Sequence, residues 1–366
     1  MITRKFDSSV IFSSLLITLL ARVALAATSP AEKQTFNPLV NSSLRYGFPD
    51  ENKIDLMSDK VTPKLPLGGA TPTQSPGTVI GATWYDCQHL GSMGRMIDWS
   101  RHGNPDTMIV HFGWMSMPGP VLFARQYRYI SWNAVTGSFG VETGLQSEDD
   151  FAGFVGLDAT KDGRAVIGGH NREWSDGFTD CHFYWDSGPG LSDFSAQAQV
   201  PRNVAEYGGY PGQKVTWPKF RYQEGPADTA LHVLALEARV DPGDPQALYY
   251  FRKVGVDAAG VWDYPPYVVD TVYTPAHDIA ADNDGKVALV WIANLPCSGD
   301  PCDTCSGYEC WSFAERDNDV YYQVSHDYGV SWDPRVNISQ NVDGEQGYRP
   351  YADLSALITS DANLHI

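Results

Sequence analysis

Positive charge is scarce in this 366-residue chain: 26 Lys and Arg stand against 44 Asp and Glu, for a net charge of −18. A surface this acidic repels phosphate backbones and anionic headgroups, so nucleic acid and membrane surfaces are poor partners. Long apolar runs are missing beyond Leu20, which predicts no membrane span once an N-terminal signal is removed. Helical periodicity is rare throughout. Several enzyme motifs are absent too: there is no Gly-x-Ser-x-Gly elbow, no His-Glu-x-x-His, no P-loop and no dinucleotide fingerprint. No cofactor is expected, although acidic loops suit a structural calcium ion.

What the chain does have begins with an export signal. Arg4 and Lys5 precede the apolar run Val10–Leu20, and Ala24-Leu25-Ala26 places small residues around a cleavage point, giving a signal peptide over residues 1–26. Residues 27–77 are rich in Pro, Ser, Thr and Gly and read as a linker or surface arm. Residues 78–366 read as one all-β unit, and the protein is expected to be secreted, periplasmic or displayed at a cell surface.

The most informative segment is Val320–Trp332, which contains Ser325-x-Asp327-x-Gly329-x-x-Trp332. Asp327 can accept backbone N–H groups inside a turn, Gly329 supplies conformational freedom, and Trp332 opens the next strand. Aromatic strands of the same kind run at Tyr127–Ser131, His182–Asp186 and Leu248–Arg252, each followed by a Gly-containing turn and an aromatic. Hairpin signals at Asp162-Gly163 and Asp284-Gly285 span two repeats, so the period suits four strands with loops. Such units repeated at this interval predict propeller blades, near 93–143, 150–200, 210–271 and 275–341.

The Ser-x-Asp-x-Gly-x-x-Trp segment resembles the Asp-box of sialidase-like (BNR repeat) β-propellers. The resemblance implies a six-bladed ring of four-stranded antiparallel blades, with the binding face opposite the Asp-boxes. On that reading the chain stops inside a fifth blade, and Thr78–Asp86 is an unpaired strand that would complete a missing last one. It also implies an arginine trio on a carboxylate, a Tyr–Glu nucleophile and an Asp acid/base. Only Arg95, in Gly94-Arg95-Met96-Ile97-Asp98, approaches the first arginine motif, and the motif's proline is missing. No catalytic residue is assigned.

Two loops expected on the binding face are chemically loaded. His170, Arg172, Glu173, Trp174 and Asp176 set a cation, carboxylates and an indole together, a set that suits a sugar. His170 falls on or beside a strand, as do His111 and His277, where packing is the blander role. Cys297, Cys302, Cys305 and Cys310 have a spacing that also suits metal, but export favours two local disulfides, and Cys87 is left to pair with Cys181. The expected function is a non-catalytic module binding a glycan or an extracellular protein. The alternative is an exo-acting, sialidase-type glycoside hydrolase whose remaining catalytic residues lie in blades beyond the chain.

Overall fold

Short alternating segments punctuated by Gly and Asp leave this chain little choice but antiparallel strands. The computed structural model describes residues 78–84, 88, 92–101, 107–117, 125–145, 152–173, 178–201, 215–238, 246–263, 265–294, 318–340, 350 and 353–366. The signal and linker segments lie outside this set. So do Cys87, Trp174, Asp176, Cys297, Cys302, Cys305, Cys310 and the side chains of Arg172 and Glu173.

The first sheet contains β1 (Ile97–Arg101), β2 (Met108–Ser116), β3 (Gln126–Asn133) and β4 (Ser138–Phe139), with β5 (Thr143–Leu145) also paired to β3. The second contains β6 (Ala152–Ala159), β7 (Ala165–Glu173), β8 (Phe178–Trp185) and β9 (Ala196–Gln199). The third contains β10 (Val215–Glu224), β11 (Thr229–Glu237), β12 (Gln246–Val254) and β13 (Val261–Trp262), with β14 (Tyr267–Val272) on β12. The fourth is β15 (His277–Ala281), β16 (Val287–Asn294), β17 (Asn318–Ser325) and β18 (Val336–Asn337), and β19 (Leu357–Ile358) pairs with β20 (Leu364–His365). The four larger sheets span residues 97–145, 152–199, 215–272 and 277–337, close to the bounds expected for blades.

The opening strand of each sheet packs beside that of the next, in the order β1, β6, β10, β15 and β19. Sheets related in this way radiate from a common axis, as propeller blades do. Cores lie between the blades. Met115, Tyr127 and Tyr129 meet Leu157 and Ile167 between the first two sheets, and Phe183 and Trp185 meet Phe220 and Phe251 between the next two. Strand β11 is buried on both sides, so its alternation is one of direction rather than polarity. Leu231, Val233 and Ala235 enter the core shared with the second sheet, while Leu234 and Leu236 enter the core shared with the fourth.

The Ser325–Trp332 turn is built by its own side chains. Asp327 Oδ1 accepts the Ser331 N–H at 2.8 Å, its Oδ2 accepts the Ser331 hydroxyl at 2.6 Å, and the Ser325 hydroxyl oxygen accepts the Gly329 N–H at 2.8 Å. Gly329 has φ +79°, and a Cβ there would collide with Tyr250. Trp332 is half-buried rather than fully enclosed, because the third sheet covers only part of its ring: it lies parallel to Tyr267 at 6.0 Å and edge-on to Tyr250 at 4.8 Å.

Two expectations are corrected. Cys181 is a fully buried free thiol packed between the second and third sheets, its Sγ 3.5 Å from the Val215 carbonyl, so the expected pairing with Cys87 does not hold at this end. Burial pushes that thiol well above its ordinary range. Residues 78–84 are not a strand. They lie along the first sheet, where the Trp84 N–H donates to Met117 O at 3.0 Å and the Met117 N–H donates to Thr83 Oγ1 at 3.1 Å. Gly81 passes so close to the Trp114 indole that a Cβ would sit 2.2 Å from it.

Candidate axial site

The opening strands carry a charged position each time they pass the axis. Asp98 Oδ2 accepts the Ala159 N–H of the second sheet at 3.1 Å, and Asp158 Oδ2 accepts the Tyr222 N–H of the third at 2.6 Å. Asp278 Oδ2 accepts the Ala356 N–H beside β19 at 2.9 Å. Three carboxylates therefore fasten one blade to the next. In the third sheet the same position holds Arg221, opposite His232 on β11 just as Asp98 is opposite His111 on β2.

Arg95 precedes β1, and its carbonyl is fixed by the Leu157 N–H at 2.7 Å. Its guanidinium lies 3.8 Å from Asp98, and its pKa is pulled down by burial first and by the Arg221 charge second. Arg221 donates to the Phe220 carbonyl at 3.0 Å and, among the described residues, forms no ion pair. The two guanidiniums face one cavity of about 380 Å³ along the axis, lined also by Asp158, Arg101 and Lys161. Four cations and three carboxylates (Asp158, Glu224 and Asp282) line it, in a chain whose net charge is −18. The hairpin-turn end of the cavity adjoins the Ser325–Trp332 turn, where the Tyr328 N–H donates to Gly285 O at 2.8 Å, and so is not the face the resemblance implies for binding. There Lys161 donates to Glu224, and the Glu224 N–H donates to Asn283 Oδ1 at 3.2 Å, so Glu224 is already engaged.

Asp98 is the electrostatic outlier. Burial, then the Asp158 carboxylate and a hydrogen bond shared with it, raise its pKa to about 7. His111 nearby stays neutral, its pKa lowered to about 4 by burial, with ring nitrogens bonded to Ser100 at 3.0 Å and Tyr129 at 2.7 Å.

Of the residues singled out from sequence, Arg95 lies in this cavity. His170 does not. It is buried between the second and third sheets, with Nδ1 3.1 Å from the Thr216 hydroxyl, and burial lowers its pKa to about 3. A clamped neutral imidazole of this kind serves packing, the blander of the two expected roles. Sequence reasoning missed Arg221, Asp158 and Asp278 as one set. Their signal is a charged residue within each opening strand, but its distance to the turn varies: Asp158 precedes Gly163 by five residues and Asp278 precedes Gly285 by seven.

No family model matches the chain, and no curated protein matches it by sequence. Among solved structures it is similar to an alpha-L-arabinanase of Penicillium chrysogenum complexed with arabinobiose, at 15% identity and TM-score 0.40 over 72% of this chain and 71% of that one. It is also similar to the NanB sialidase of Streptococcus pneumoniae, at 8% identity and TM-score 0.41 over 75% of this chain and 56% of that one. An endo-arabinase of Bacteroides thetaiotaomicron matches at 11% identity and TM-score 0.36 over 75% of this chain and 89% of that one.

Proposed function

We propose that this chain is an exported β-propeller binding module that takes a carboxylate-bearing glycan into its axial cavity, without hydrolysing it. The observation that carries this reading is the pairing of Arg95 and Arg221 on one cavity while the neighbouring carboxylates are spent on backbone N–H groups. Two desolvated guanidiniums that repel each other are relieved by an anion, and a planar carboxylate fits their donor geometry. The cavity thus overrides locally the repulsion that the acidic surface presents to anions. Carboxylates already bonded to a neighbouring blade are poorly placed for acid–base work on a substrate, which favours binding over catalysis. The same reading has the ring carry further blades, because Ile97 and Trp99 are 58% and 55% exposed on a face of the first sheet where a blade would pack.

The test is calorimetric titration with N-acetylneuraminic acid and glucuronic acid, against N-acetylglucosamine as the uncharged control. The acids should bind, and Arg95→Ala with Arg221→Ala should weaken them by about tenfold or more. Binding unaffected by both substitutions overturns the cavity assignment. Turnover of a fluorogenic sialoside overturns the non-catalytic part.

A further inference from the structure

At the other end of the axis, where the opening strands begin, the second and third sheets are irregular in the same way. The β6 register shifts between Gly153 and Gly156, and the β10 register shifts between Thr216 and Lys219. Each bulge contains a bulky residue with left-handed backbone, Phe154 at φ +55° and Trp217 at φ +53°. Aromatic residues rarely adopt that conformation, which persists only where surrounding groups enforce it.

Those groups are buried histidines. The Trp217 N–H donates to His170 Nδ1 at 3.4 Å, and the Trp217 carbonyl lies 3.0 Å from His277 Nε2. One imidazole comes from the second sheet and the other from the fourth, so Trp217 is gripped on both backbone groups. Phe154 is held likewise, its N–H 3.4 Å from Met115 Sδ and its ring 5.2 Å from that of His170. Each ring packs one side on a core, Phe154 on that of the first two sheets and Trp217 on that of the third and fourth. Both rings stay half-buried and meet edge-to-face at 6.0 Å.

We propose that Phe154 and Trp217 form a second binding surface, separate from the arginine cavity, on which an uncharged sugar ring stacks against the indole. A rigid, partly wet indole beside a phenyl edge offers the C–H face of a sugar large contact area at little entropic cost, because the side chains are already ordered. Bulges commonly re-aim side chains in this way. The site does not depend on the carboxylate reading, since its residues are not those of the axial cavity.

The experiment titrates the full chain with chitotriose and cellotriose, both neutral, by calorimetry and saturation-transfer NMR. Trp217→Gly removes the ring and relieves the left-handed strain while keeping the backbone groups that His170 and His277 hold. We expect it to weaken neutral-sugar binding about tenfold or more, and Trp217→Phe, which keeps an aromatic face at the same position, to weaken it clearly less. Arg95→Ala with Arg221→Ala should leave neutral-sugar binding intact. Absence of neutral-sugar binding in the unsubstituted chain overturns the proposal, as does Trp217→Gly binding with unchanged affinity. Tighter binding of a proline-rich peptide than of either sugar also overturns it.

Discussion

At the residue scale, the two most shifted carboxyls outside the hairpins move in opposite directions, and their stability effects have opposite signs. Asp98 is raised to about 7 from 3.8. Between these values the folded protein holds a proton the unfolded chain has released, so the favourable contribution is full below about pH 4 and is lost as pH rises through 7. Asp98→Asn keeps an acceptor for the Ala159 N–H and removes the buried charge. It should be more stable than the parent at pH 8, by on the order of 1–3 kcal/mol, and gain little at pH 4. Urea unfolding at the two pH values checks this, and an equal difference at both would dismiss the proton assignment. Asp327 behaves the other way. Its slight burial works upward, but hydrogen bonds from Ser331 and Ser325 prevail and hold its pKa at about 2. Its contribution is therefore present above about pH 4 and is lost as pH falls through 2.

At the scale of elements, contacts between successive blades dominate. Asp278 reaches from β15 to the Ala356 N–H at 2.9 Å, fastening the β19–β20 pair to the fourth sheet. Asp278→Leu leaves that N–H without its acceptor and should cost about 1–3 kcal/mol, whereas Asp278→Asn retains an acceptor and should cost less. Hydrogen exchange at the Ala356 amide should accelerate in the first variant and not in the second. Trp332→Ala removes an indole shared between two rings of the third sheet. Because Trp332 is half-buried, the loss should fall near 2 kcal/mol, below the ~3–5 kcal/mol of a fully enclosed aromatic. A chemical-denaturation series with Trp332→Phe as intermediate measures it.

Across the whole molecule, four buried histidines should make the fold sensitive to acid. Burial lowers His170 and His232 to about 3 and His111 and His277 to about 4, all from 6.5. Below pH 6.5 the unfolded chain takes up protons these imidazoles refuse, so stability falls with pH, each group adding up to about 1.4 kcal/mol per pH unit. Asp98, Asp186 and Glu224, all raised by burial, oppose this. Unfolding free energy should therefore drop between pH 6.5 and 4.5, and denaturation at pH 7, 6 and 5 checks the slope. A flat profile would mean the imidazoles are protonated in place.

Local chemistry alone determined the β class, the positions of the sheets and the Ser325–Trp332 turn, because period-two alternation, Asp-Gly turns and a self-bonding Ser-x-Asp-x-Gly segment need no distant partner. Arg95 drew attention only through the resemblance to a family motif, not through local chemistry. The rest depended on how blades face one another. Nothing near Arg221 in sequence marks it as the counterpart of Asp98, since equivalence along the axis follows from strand register and not from spacing. His170 read as a loop-edge ligand because its strand neighbours are polar; only packing against Thr216 and Trp217 made it a core imidazole. Cys181 read as half of a disulfide from an even cysteine count, yet the strand it sits on turns its sulfur into the core between the second and third sheets. Phe154 and Trp217 look like ordinary strand aromatics until two bulges, one of them gripped by contacts 46 to 60 residues apart in the chain, leave their rings partly buried beside each other.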